Sequence, residues 1–232
     1  MHLEISENLD GARHARGLAV IIDVFRAFSL EAYLFGRGAE RIYAVGAEDA
    51  ARRLKAENPD AVLIGERGGV ILPGFDFGNS PSQTEGADVR GKTIIHTTSA
   101  GTQGLVAASG ADEIVTGALV NARAVAEHIR KKNPERVSLV AMGLNGRVSS
   151  PEDLLCAKAI VSYLRGEALD FERESALVRE HREGRKFFDP ERQSVFPMKD
   201  FFMCMKLDVF DFVITAERVG DGIFLMTRTK QP

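Results

Sequence analysis

Leu18-Ala-Val-Ile-Ile-Asp23 is the stretch on which the fold depends, five apolar residues in a row closed by a carboxylate. A strand with one wet face alternates apolar and polar residues, whereas a strand buried on both faces reads as a continuous apolar run. A parallel sheet covered on both sides is therefore implied. Asp23 falls at the carboxyl end of its strand, where open α/β sheets bind ligands.

Working outward, the same pattern recurs. Short apolar runs at Arg41–Val45, Ala61–Ile64, Lys92–His96, Glu113–Thr116 and Val137–Met142 read as further strands. Helices are expected between them. Leu30 to Phe35 is closed by Gly36 and Gly38, Ala47 to Asn58 is stopped by Pro59, one helix ends near Gly110, and Asn121 to Lys132 is amphipathic. Ser150-Pro151-Glu152-Asp153 opens another, with Ser at the cap, Pro at the first position and acids in the first turn. Asp208–Thr215 and Gly222–Thr227 read as strands around Gly220-Asp221-Gly222, a hairpin or sheet edge. The densely charged residues 167–193 read as a solvated helix and a connection, and the residues before Leu18 as a short polar start. The expected fold is a three-layer α/β/α arrangement with a mostly parallel, mixed sheet. Residues 1–232 are expected to form a single domain, divisible into closely packed α/β subdomains at about 1–118 and 119–232.

Composition narrows the function classes. Hydrophobic residues at 44% and charged residues at 27% are ordinary for a globular chain. A net charge of −3 leaves no footprint for nucleic acid or an anionic membrane, so a small ligand is the better expectation. No apolar run approaches a bilayer-spanning length and Met1-His2-Leu3-Glu4 lacks the order of a signal peptide, which points to a cytoplasmic protein. Cys156 and Cys204 sit among apolar neighbours and read as small buried hydrophobes.

Gly65-Glu66-Arg67-Gly68-Gly69 and Gly74-Phe75-Asp76-Phe77-Gly78-Asn79-Ser80-Pro81 form the most site-like loop. Its glycines and prolines force irregular backbone that can approach a ligand, and its apolar residues argue against a solvated tether. Similar material stands at other strand ends: Asp23 with Arg26, Thr97 with Thr98 and Thr102, and Arg147 with Glu152 and Asp153. Carboxylates gathered without His or Cys suit a hard cation such as magnesium, and arginines suit phosphate or another multi-oxygen anion. Thr97, Thr98 and Thr102 would equally serve as a plain helix cap, and acids in a first helical turn need no ligand. The phosphate loop G-x-x-x-x-G-K-[ST], the dinucleotide motif G-x-G-x-x-G and the G-x-S-x-G elbow are all missing.

Taken in order, Asp23-Val-Phe-Arg26-Ala27, Gly65-Glu66-Arg67-Gly68, Gly74-Phe75-Asp76-Phe77-Gly78-Asn79-Ser80-Pro81, Thr97-Thr98 with Gly101-Thr102, and Gly143 with Gly146, Ser149, Glu152-Asp153 and Cys156 resemble the motifs of the 2-phosphosulfolactate phosphatase family. The resemblance covers residues 18 to about 160 strongly, and Gly184-Arg185, Cys204, Asp208 and the last strands more loosely. It implies an α/β/α fold and magnesium-dependent hydrolysis of (2R)-2-phospho-3-sulfolactate to 3-sulfolactate and phosphate, a step toward coenzyme M in methanogens. Asp23, Glu66 and Asp76 are then candidates for holding magnesium or activating water, with Glu152 and Asp153 as further metal ligands and Arg26 beside the chemistry. Arg26, Arg67 and Arg147 are candidates for the phosphate and sulfonate oxygens, and Thr97, Thr98, Thr102, Asn79 and Ser80 for hydrogen bonds to them. Asp23 could attack phosphorus or serve the metal, and the residues leave both open. Another small phosphorylated acid as substrate, or a non-catalytic anion-binding relative, are the alternatives, and a homodimer is left open. Phe28 and Ala100 depart from the family's usual Thr-rich and Asn-containing positions, and are expected to shift the pocket's polarity.

Overall fold

The computed structural model describes residues 1–230. In chain order its elements are β1 (His2–Glu7), α1 (Asn8–His14), β2 (Leu18–Ile22), α2 (Ala27–Gly36), β3 (Arg41–Val45), α3 (Glu48–Glu57), β4 (Val62–Arg67), β5 (Val70–Ile71), β6 (Thr93–Thr97) and α4 (Gly101–Ala107). There follow β7 (Glu113–Gly117), α5 (Ala122–Lys132), β8 (Arg136–Ala141), α6 (Pro151–Arg165), α7 (Phe171–Glu180), α8 (Arg182–Arg185), α9 (Met198–Cys204), β9 (Phe212–Gly220) and β10 (Ile223–Lys230). The strands form one ten-stranded sheet in the order β1-β8-β2-β7-β9-β10-β3-β6-β4-β5.

Within that sheet β1, β8, β2 and β7 run parallel, as do β3, β6 and β4. The hairpin β9-β10 stands between the two blocks and pairs antiparallel to β7 on one side and β3 on the other. Three successive reversals of direction leave the two parallel blocks pointing opposite ways. The sheet is therefore mixed at its centre, and the hairpin is not an edge. Edge positions belong to β5 and to β1, so the polar start of the chain is in fact a strand and a short helix.

The alternation expected of a doubly buried strand is visible in β2. Leu18, Val20 and Ile22 enter one core with α5 and α6, while Ala19 and Ile21 enter another with α1, α2 and α4. That second core runs under both blocks, taking in Ile42, Ile64, Ile94 and Ile214. On the remaining face of the β3-β6-β4 block, Val45, Leu63 and Ile95 pack against Ala50 and Ala51 of α3. Three layers result, with helices on both faces. Residues 167–193 are only partly solvated: α7 is surface-lying, but Val178 and Phe187 are buried with the α5–α6 core. Among the described residues no helix is long and apolar enough to cross a membrane.

Candidate active site

Asp23 leaves β2 into a cavity of about 60 Å³ that also receives Glu66, Asn79, Glu152, Asp153, Arg26 and Lys186. A Cβ added at Gly101 would come within 3.0 Å of Asp23 Oδ2 and 3.0 Å of Ala27 Cβ, so the start of α4 abuts the end of β2. Glycine at that position permits the close approach. The amides of Ala27 and Gly101 both donate to the Asp23 carboxylate.

Asp153 ties the two neighbouring strand ends together. Val24 N donates to its Oδ1 at 2.7 Å and Gly143 N to its Oδ2 at 2.8 Å. Gly143 has φ +65° and would place a Cβ 2.2 Å from the Val148 carbonyl, so only glycine fits this turn. Glu152, next in the first turn of α6, is buried and its Oε2 has no hydrogen-bond partner. Buried polar atoms are nearly always satisfied, and one facing a cavity marks a place for a ligand. Asn79 Oδ1 is orphaned in the same way and lines the same cavity.

These acids do not titrate ordinarily. Burial, then the negative charge of Asp153, raises Asp23 to about 7. Burial, then Glu152, raises Asp153 to about 8. Burial also raises Glu152 to about 7, against the opposing pull of its own backbone amide and of Lys186. Carboxyls held protonated above their normal range let the folded protein keep protons that the unfolded chain releases near pH 4. The stabilisation is complete below about pH 4 and is lost as the pH rises through the folded values near 7 and 8. Scanning calorimetry with a chelator present should thus show the melting midpoint falling between about pH 5 and pH 8.5. A midpoint that climbs with pH across this window would contradict the assignment.

Glu66 ends β4 and clamps two loops. Its Oε1 accepts from Ser99 N at 2.7 Å, and its Oε2 from Gly69 N at 2.5 Å and from the Ser99 hydroxyl at 3.2 Å. Arg26 is buried, with Nη1 donating to Asp200 Oδ2 at 2.7 Å and to the Val195 carbonyl at 2.9 Å. Its other face is left toward the cavity, with the guanidinium 5.0 Å from the centroid of Phe196.

Several candidate residues stand elsewhere. Asp76 lies on the returning limb of its loop, where its amide donates to the Leu63 carbonyl and its Oδ2 accepts from Leu63 N at 2.8 Å. Leu63 is near the start of β4 while Glu66 is near its end, so the fold-back carries Asp76 away from the cavity, and its carboxylate lies 3.8 Å from Lys55. Arg147 is exposed in the turn between Leu144 and Val148. Arg67 is directed to Thr97 Oγ1 at 3.1 Å and to the Glu66 carbonyl, where it braces the loop. Thr98 and Thr102 cap each other, each amide donating to the other's hydroxyl at 3.0 and 3.2 Å. Ser80 Oγ accepts from Gln83 N in a turn. Phe28 is buried in the core behind the site, so of the two departures only Ala100 touches the cavity. Cys156 and Cys204 are buried free thiols, both pushed up by burial and so poor nucleophiles.

The reading of the sequence missed Glu183, Lys186, Phe196 and Asp200, all from the segment taken as a solvated connection or from the residues after it. Phe187, Phe188, Phe196 and Phe201 were the signal available, since four phenylalanines within fifteen residues are poorly suited to a wet connection.

Among the described residues no three His, Cys, Asp or Glu side chains are arranged to hold a metal alone. Magnesium does not require that. It keeps several waters and takes one or two carboxylates besides the oxygens of its substrate. Asp23 and Glu152, whose Oε2 is unpartnered, both line the cavity and are the carboxylates available to such an incomplete shell.

The sequence pattern that defines the 2-phosphosulpholactate phosphatase family matches residues 4–218. A protein of Bacillus subtilis named probable 2-phosphosulfolactate phosphatase is 32% identical over 211 residues, covering 87% of this chain and 88% of its own length. Proteins of the same name from Deinococcus radiodurans and Carboxydothermus hydrogenoformans are 39% and 41% identical over 152 and 145 residues. Those two alignments cover 65% and 62% of this chain, and span 63% and 59% of the relatives' own lengths. The cavity residues Asp23, Glu66, Glu152 and Asp153 and the braces around them all fall inside the matched region, and the chain belongs to the 2-phosphosulpholactate phosphatase family, a family of phosphoric monoester hydrolases.

Proposed function

We propose that this chain is a magnesium-dependent phosphatase that hydrolyses (2R)-2-phospho-3-sulfolactate to 3-sulfolactate and phosphate. The names of its relatives support the substrate, and the chemistry of the cavity supports the rest. The observation that carries the reading is the buried Glu152 Oε2, without a partner, beside two acids whose ionisation burial opposes. Five acids line the cavity (Asp23, Glu66, Glu152, Asp153 and Glu183) against Arg26 and Lys186. An anionic substrate entering such a wall needs a divalent cation between itself and the carboxylates.

Bound there, magnesium would neutralise phosphoryl oxygens and lower the pKa of a water. Asp23 and Glu152 are the residues that would hold it. Arg26 supplies fixed positive charge to the phosphoryl oxygens, and Asp200 keeps its fork oriented. Asn79 offers its amide to the same oxygens, with Oδ1 left as an acceptor. In the reaction a water oxygen bonds to phosphorus as the ester P–O bond breaks, and the water's proton passes to the departing alkoxide.

Phosphate release should be measured from 2-phospho-3-sulfolactate and from a panel of small phosphate monoesters, with magnesium and with chelator. Magnesium-dependent release, fastest from the sulfolactate ester, is the expected result. Faster release from another phosphorylated acid would move the substrate and keep the reaction, and no release from any ester would sink the reading.

A further inference from the structure

Residues after α7 close one wall of the cavity and bring Lys186 to it. Its ammonium is 2.6 Å from Glu183 Oε2 and 4.8 Å from the centroid of Phe196, the same ring that Arg26 approaches at 5.0 Å. The two cations share an aromatic neighbour but not a carboxylate. Arg26 pairs with Asp200, whereas Lys186 pairs with Glu183, which is in turn 3.2 Å from Arg182. They come from different segments of the chain, and they are the two cations lining the cavity.

A ligand with one anionic group would occupy one of them. Arg26 stands three residues after Asp23, with Nη2 3.5 Å from the Gly69 carbonyl, and so belongs to the reacting end. Lys186 reaches the cavity from a different segment and is held by its own carboxylate. A lysine ammonium is a compact charge with three donors, of which Glu183 takes one and leaves two. At 12% side-chain exposure it is largely shielded from water, which strengthens its pull on a ligand, and its partner holds it in place before the ligand arrives.

We propose that Lys186 is the residue that determines specificity at this site, taking the second strongly acidic group of the substrate, the sulfonate, while Arg26 takes the phosphate. The assignment rests on the phosphatase reading for the identity of the ligand. Lys186→Met should lower the ratio of kcat/KM for 2-phospho-3-sulfolactate to that for isopropyl phosphate, a secondary ester with no second acid, by about tenfold or more. Lys186→Arg should restore much of the ratio because the charge returns. Equal losses on both esters would overturn the proposal and reduce Lys186 to a structural partner of Glu183. Calorimetric titration with 3-sulfolactate needs no turnover and separates the two readings. Binding that weakens at least about tenfold in Lys186→Met, in a wild-type protein that hydrolyses neither ester, would keep the subsite and sink the phosphatase. Binding unchanged by the substitution would sink the subsite alone.

Discussion

Asp23→Asn is expected to cut phosphate release by about a thousandfold or more while leaving the protein folded and no less stable, because the two effects draw on different properties of the carboxylate. The amide is nearly isosteric, and its oxygen still accepts from Ala27 N as Asp23 Oδ1 does at 3.2 Å. What it loses is charge, together with an acceptor for one of the two amides that the carboxylate serves. In the folded protein that charge is buried and repelled by Asp153 and Glu66, so its removal relieves the site. Catalysis has the opposite interest, since neither a metal nor a proton can be held by a neutral amide in the same way. The steady-state rate at saturating magnesium and the melting midpoint should therefore part company. A variant within tenfold of the wild-type rate would remove Asp23 from the chemistry.

Asp200→Ala should be the most destabilising single change near the site, costing about 3–5 kcal/mol in chemical denaturation. Asp200 is fully buried and holds three parts of the molecule: Arg26 Nη1 at 2.7 Å, Ser82 N at 2.8 Å, and α9 itself. Removing it leaves a guanidinium that is 3% exposed without its counter-charge, which costs more than the pair gained by forming. The Val195 carbonyl and the rings of Phe187 and Phe196 remain as partial compensation. The double variant Arg26→Leu, Asp200→Leu should recover much of the stability, since replacing both members of a buried pair is often neutral, yet it should release no phosphate. A loss below about 1 kcal/mol for Asp200→Ala would show that water reaches Arg26 and that the pair is not sealed.

Much of this architecture was legible in apolar runs, because a strand buried on both faces has nowhere to hide a polar side chain. Arg41–Val45 is a strand with those bounds, and Leu18–Ile22 divides its side chains between two cores as its composition requires. The hairpin was harder. Only Val115 and Thr116 of β7 pair with β9, and the outer half of β9 is largely exposed, so a central ribbon has the mixed polarity of an edge. Asp76 misled for a related reason: position in a loop does not tell which limb folds back, and backbone bonds to Leu63 decided it. Lys186 and Glu183 were hidden by charge balance, which on a surface and at a lined cavity looks the same in one dimension.

The place of β10 has a consequence for how the molecule comes together. Ile42 of β3 is opposite Met226, and Thr215 of β9 is opposite both Val115 and Thr227, so within the sheet the two parallel blocks are joined only through strands near the far end of the chain, while one core runs beneath both. Each block can begin to assemble during synthesis, but their union waits for pairings spanning most of the sequence, the kind of contact that slows folding. Until then the open side of β3 is an unpaired edge, a hazard for association with other chains. By this strand order, two half-sheets are expected before β9 and β10 are made, and the cavity, whose acids come from both, is expected to form among the last features.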